Sequence, residues 1–231
     1  MKLLKKTIKF LVAAIVITAV LNIPLITRYG IDGVQYEKRI PLYVKACGFL
    51  CRDWTYRDIV KDIVGDEKDE TKKALAILGW VNSNIISGVP KGLKLVDDHP
   101  LNIIIRQFGA GDQLEDIFTI LCSYAGLGAG VARSYELGTQ NFLVLSFVNA
   151  DGRWLVIDAK HDKYFFNRNN EIASIDDILK NDAILTKVEE EIYSRFFAGL
   201  KGVKTTSFTR AEEQMLFRRI QAKIRRWLNK R

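Results

Sequence analysis

Apolar positions recur with a helical period in two stretches of this chain. Ala74, Ile77, Leu78, Val81 and Ile85 lie three or four residues apart in one, and Leu114, Ile117, Phe118, Leu121 and Tyr124/Ala125 in the other. Each set makes a single stripe, so each stretch is predicted to be a helix facing a core. Two runs rich in β-branched and aromatic residues follow, Gln140 to Val148 and Asp151 to Asp158. The Asn149-Ala-Asp-Gly152 turn between them predicts a hairpin. Shorter helices are expected around Trp54 to Val64, Ser174 to Lys180 and Val188 to Leu200. Near the C-terminus, Phe217, Ile220, Ile224, Trp227 and Leu228 share one helical face, basic residues crowd the rest, and Thr209 with Glu212 or Glu213 suits a capped start.

The N-terminus has a different pattern. Lysines dominate residues 1–9, and Phe10 to Ile26 is an uncharged run of seventeen residues. As a helix it would rise roughly 25 Å, a little short of a ~30 Å hydrocarbon core. The expectation is an uncleaved single-pass membrane helix in residues 1–30, with a cytoplasmic N-terminus and a periplasmic or extracellular domain. A cleaved signal peptide is the rival reading, but no small-x-small step follows the run. Residues 31–200 then form one domain with a helical preamble, and residues 201–231 a basic amphipathic helix.

Charge sharpens that division. Residues 1–30 carry +5, residues 31–200 carry −5 and residues 201–231 carry +8. The basic character therefore belongs to the ends, which argues against nucleic acid as a partner. Arg218, Arg219, Arg225 and Arg226 are candidates for contact with anionic lipid; packing on the domain, or against an acidic partner, are the alternatives. The composition, 48% apolar, suits one α+β domain.

The chemistry turns on Gly109-Ala-Gly-Asp-Gln113, which opens the second striped helix, and on the Gly-rich turn Gly126 to Gly130 that follows and leads to Arg133. This stretch resembles the catalytic-helix motif of the transglutaminase-like branch of the papain-type cysteine enzymes, and the resemblance spans roughly residues 66 to 166. It implies helices packed on an antiparallel sheet. In that family a Gly-x-Cys-Asp-Gln step begins the helix, where unpaired amides acidify the thiol; here Gly111 stands in the cysteine's place. The family's histidine falls on Gln140 or Asn141, neither of which can act as a base, while Asp158 matches the aspartate that orients the histidine. The site implied is vestigial. Asp112, which is expected to cap the helix, and Gln113, Trp154 and His161 are the candidates for contacts in the old cleft.

Other reactive groups have plain readings. Cys122 falls among apolar residues mid-helix. Cys47 and Cys51 would bridge only if their segment were not a regular helix, and they are too few for a zinc site. His99 precedes a proline in a predicted loop and reads as structural. His161 could pair with Asp158 or Asp162 as an acid–base couple. Asp112 and Asp158 could serve as paired carboxylates, although nothing in the sequence fixes their separation. No cofactor or metal is expected. Two functions follow: a membrane-anchored, catalytically degenerate domain that binds a protein or glycan in the cell envelope, within polysaccharide or export machinery, or an envelope hydrolase or acyltransferase with an unconventional site around Asp112, Glu115, Asp158 and His161.

Overall fold

The computed structural model describes residues 2–31, 34–95 and 97–203, with isolated positions 215, 221, 224 and 228 beyond them. Helix α1 (Lys2–Leu21) leads into an antiparallel hairpin of β1 (Pro24–Ile31) and β2 (Val34–Pro41), then helix α2 (Leu42–Val64). Helix α3 (Glu70–Asn84) follows. Strand β3 (Ile86–Ser87), helix α4 (Pro100–Arg106) and strand β4 (Phe108–Gly109) come next, with β3 and β4 paired in parallel. Helix α5 (Gln113–Tyr124) delivers the chain to β5 (Gly128–Tyr135), β6 (Phe142–Ala150), β7 (Arg153–Asp158) and β8 (Lys163–Tyr164), neighbours in that order in one antiparallel sheet. Strand β9 (Phe166–Asn167), helix α6 (Ile175–Leu179), strand β10 (Ala183–Ile184), helix α7 (Lys187–Phe197) and a 3-10 turn (Ala198–Gly202) complete the mixed α+β fold.

The predicted stripes are what the core is made of. Asp69 caps α3 by accepting the Lys72 amide, and Ala74, Ile77, Leu78, Val81 and Ile85 are all buried. Helix α5 is buried along nearly its whole length. Side chains alternate across β6: Val148 joins the core with α3 and α5, while Leu145 and Phe147 join a second core with Tyr193 and Phe197 of α7. The sheet thus lies between α5 on one face and α6 and α7 on the other. The β6–β7 turn is Asp151-Gly152, with φ of +52° and +79°. Two left-handed residues are what a type I′ turn needs, and they pin the register that pairs Ala150 with Arg153.

Three expectations need correction. The uncharged run does not form one helix: α1 ends at Leu21, and Pro24 opens β1. Proline has no amide to donate and steers the residue before it away from helical geometry. The apolar part of α1, Phe10 to Leu21, is twelve residues and rises ~18 Å, well short of a ~30 Å hydrocarbon core. Among the described residues, no helix is long and apolar enough to cross a membrane. Second, the short helix expected near Trp54 is the last half of the 23-residue α2, which carries Cys47 and Cys51 as free, exposed thiols one turn apart. A regular helix keeps them apart. Third, Asp112 occupies the N-cap position of α5, but its side chain makes no capping bond. Arg218, Arg219, Arg225 and Arg226, on the amphipathic helix expected near the C-terminus, lie outside the described residues.

Candidate functional site

The approach to α5 is clamped from beneath. The Arg106 guanidinium donates to the carbonyls of Phe108 (2.8 Å) and Asp97 (2.9 Å) and to Gln113 Oε1 (2.9 Å). Gln113 Oε1 also accepts the Ala110 amide at 3.1 Å, and its Nε2 donates to Asp98 Oδ1 at 2.6 Å. Gln113 is therefore buried and committed to the scaffold, where a cleft contact had been expected. What the clamp holds in place is Gly111, left-handed at φ +62°, with open space where a Cβ would stand.

Gly111 and Asp112 form one rim of a cavity of about 320 Å³. Glu115, Asp158, Lys160 and His161 line it from below, with Arg133 and Phe142 to Val144 on the strand side. Five of the residues singled out from sequence thus meet around one space: Gly111, Asp112, Glu115, Asp158 and His161. The guanidinium of Arg133 sits over the Phe142 ring, 4.8 Å from its centroid.

Asp158 is the anchor of the floor. It is 1% exposed, and its carboxylate takes the His161 ring Nδ1 at 2.8 and 2.9 Å, the His161 amide at 3.0 Å and the Tyr193 hydroxyl at 2.8 Å. His161 itself is half exposed. With Nδ1 facing the carboxylate, Nε2 is the ring nitrogen left for the cavity. Burial, and then the adjoining Asp158 charge, push the Tyr193 phenol above its ordinary range.

Glu115 lies beside Asp158 and is equally buried. It accepts the Ser146 hydroxyl and the Lys160 amide, the latter at 2.9 Å, so it ties α5 to β6 and to the chain leaving β7. Desolvation, followed by the neighbouring Asp158, raises its carboxyl to about 8. The floor therefore combines a carboxyl that holds its proton near neutrality with an aspartate–imidazole pair.

The remaining sequence candidates sit elsewhere. Gln140 and Asn141 are exposed in the β5–β6 connection, and Asn141 Nδ2 donates to Glu136 at 2.9 Å. Strand β6 begins only at Phe142, so the wall facing the cavity there is Phe142, Leu143 and Val144, none of which can take a proton. Trp154 pairs with Asn149 near the hairpin turn, at the other end of β7 from Asp158, and packs on the second core. Cys122 is sealed inside, and burial pushes its thiol well above the usual range. His99 caps α4, its Nδ1 accepting the Leu101 amide at 3.3 Å. Among the described residues, no cluster of three or more His, Cys, Asp or Glu has the arrangement of a metal site. The sequence marks Arg133 only as the end of the motif, and singles out neither Lys160 nor Tyr193. Arg133 is visible as the first cation after the Gly-rich turn; Tyr193, 35 residues beyond Asp158, leaves no local signal.

Neither a family model nor a curated protein matches the chain. Among solved structures, it is similar to a candidate protease from Parabacteroides distasonis, with 11% identity and a TM-score of 0.38 over 59% of this chain and 36% of that one. It is also similar to a candidate cysteine protease from Cytophaga hutchinsonii, with 15% identity and a TM-score of 0.37 over 63% of this chain and 46% of that one. The chain spans less than half the length of either.

Proposed function

We propose that this chain is a transglutaminase-like domain without thiol chemistry, which uses the cavity at the start of α5 to bind a protein or glycan of the cell envelope. The observation that carries the reading is position 111. The motif's cysteine position is a left-handed glycine on the cavity rim, while the thiol nearest in sequence, Cys122, is buried in the core. A cysteine at 111 would have to adopt a backbone that costs an L-residue about 1–2 kcal/mol. Asp158 keeps the place of the motif's aspartate but is engaged by His161 and Tyr193. The N-terminal segment supports an envelope location: lysines followed by twelve apolar helical residues have the proportions of an export signal.

The test is titration of the full chain with envelope-derived peptides and glycan fragments, followed by calorimetry. Saturable binding that weakens at least tenfold in Arg133→Ala is expected, with no turnover of the ligand. Thiol-dependent cleavage by the native protein, abolished by alkylation of Cys122, would overturn the reading.

The His161–Asp158 pair favours a second reading, a water-dependent hydrolase in which His161 Nε2 takes a proton from water as its oxygen attacks an acyl carbon, then returns that proton to the amine or alcohol that leaves as the acyl–N or acyl–O bond breaks. Turnover of the same fragments, lost in His161→Gln and retained after alkylation, would select it over binding alone.

A further inference from the structure

The strand wall of the cavity is built by register. Arg133 pairs with Val144 and Tyr135 with Phe142 across β5 and β6, so the two-residue period of a strand puts these four side chains on one face of the sheet. Ser146, two residues further along β6, donates to Glu115 from that same face, which is therefore the one turned to the start of α5. Tyr135 and Phe142 meet with ring centroids 5.7 Å apart and planes tilted by 54°. Both rings are nearly half exposed, at 48% and 46%. Phe142 lines the cavity, and Tyr135 extends the apolar shelf outward from it.

The charged groups around the cavity divide into those already engaged and those left over. Asp158 is taken up by the His161 ring, the His161 amide and the Tyr193 hydroxyl. Glu115 accepts from Ser146 and from the Lys160 amide, and with its carboxyl raised to about 8 it adds no full charge near neutrality. Among the described residues, Arg133 and Lys160 form no ion pair and the Asp112 carboxylate accepts no hydrogen bond, although all three line the cavity. Arg133 is held over the Phe142 ring rather than by a counter-charge, which leaves its donors for a ligand. A guanidinium, an ammonium and a carboxylate in this condition suit a ligand that brings an anion for the first two and hydroxyl donors for the third. The volume of about 320 Å³ is at the small end of the roughly 300–1,000 Å³ range of ligand sites, the size for one ring-sized unit of a longer chain.

We propose that the cavity recognises an acidic glycan through a uronic acid residue, whose carboxylate is held between Arg133 and Lys160. The sugar hydroxyls donate to Asp112, and the apolar C–H face of the ring packs on the shelf of Phe142 and Tyr135. An acidic peptide side chain brings the carboxylate but neither the hydroxyls nor the flat apolar face. The proposal rests on the binding role stated above and narrows its ligand from a protein or glycan to a carboxylated sugar.

The experiment is calorimetry of the full chain with trimers of galacturonate and of glucuronate, their methyl esters, and triglutamate. At least one uronate trimer is expected to bind at least tenfold more tightly than its ester, which keeps the hydroxyls and loses the charge. Arg133→Gln and Lys160→Gln should each erase most of that preference, and Lys160→Arg should keep it. Tyr135→Ala should weaken acid and ester by the same factor. The preference should also shrink as ionic strength rises. Ester binding as tight as that of the acid would overturn the anion site and leave the binding role of the cavity standing. Triglutamate binding as tightly as the uronate would put an acidic peptide in place of the sugar and overturn the proposal, as would uronate binding that survives both glutamine variants. If neither uronate trimer binds, the proposal falls: binding of a neutral glycan or a peptide that still depends on Arg133 would confine the failure to this narrowing, and no Arg133-dependent ligand at all would remove the binding role with it.

Discussion

Glu115 is the residue whose environment departs furthest from its local sequence. In a helix's first turn a glutamate ordinarily faces water and complements the helix dipole; here it is buried beside Asp158 and its carboxyl is raised from 4.5 to about 8. Between those values the native state keeps a proton that the unfolded chain releases. Its contribution to stability is thus present below pH 4.5 and is lost as pH rises towards 8, at up to about 1.4 kcal/mol per pH unit. Glu115→Gln retains an acceptor for the Lys160 amide and does not ionise. Denaturant midpoints should show the variant gaining on the native protein from pH 5 to pH 8; parallel pH profiles would show that Glu115 is charged in the fold. Gly111 gives a second expectation at this scale. Gly111→Cys should label readily with iodoacetamide because its Cβ enters open space, yet should lose roughly 1–2 kcal/mol of stability to its left-handed backbone. An unchanged denaturation midpoint would place the residue in another conformation.

At the scale of elements, α4 and its cap decide how α5 is presented. His99 serves as a neutral imidazole acceptor, and burial, reinforced by Arg52, lowers it from 6.5 to about 4. As pH falls below 6.5 the unfolded chain takes up the proton first, so the stability from this cap is complete above 6.5 and drains away towards pH 4. The slope is at most about 1.4 kcal/mol per unit. His99→Asn supplies a non-titrating cap. Its stability should fall less than that of the native chain between pH 7 and pH 5, as measured by chemical denaturation. The α3 stripe and the β6–β7 turn needed no such context to be read. A 3.6-residue period and an Asp-Gly pair in a two-residue turn act over one or two turns of chain, and local sequence carries them. The end of α1 was harder, because an apolar run advertises burial without saying where the backbone changes from helix to strand.

For the whole molecule, the segregated charge bears on the envelope location proposed above. Reversing Lys5, Lys6 and Lys9 to glutamate should reduce vesicle binding by the full chain, and the remaining binding should lose most of its dependence on ionic strength. Undiminished, salt-insensitive binding would assign attachment to apolar contact alone. The sequence by itself determined the striped helices α3 and α5, the hairpin of β6 and β7, the glycine just before α5 and the aspartate that ends β7. These are patterns of residue type at short spacing, fixed by backbone periodicity and turn stereochemistry. Tertiary structure alone decided that Gln113 turns inward to Arg106, that Glu115 is desolvated, that Tyr193 fixes Asp158, and that Arg133, Lys160 and His161 share one cavity with Asp112. Those outcomes depend on which face of α5 meets which face of the sheet, and on the registers that bring residues tens of positions apart within hydrogen-bond distance. Burial and electrostatic environment belong to that packing, and no local pattern in the chain encodes them.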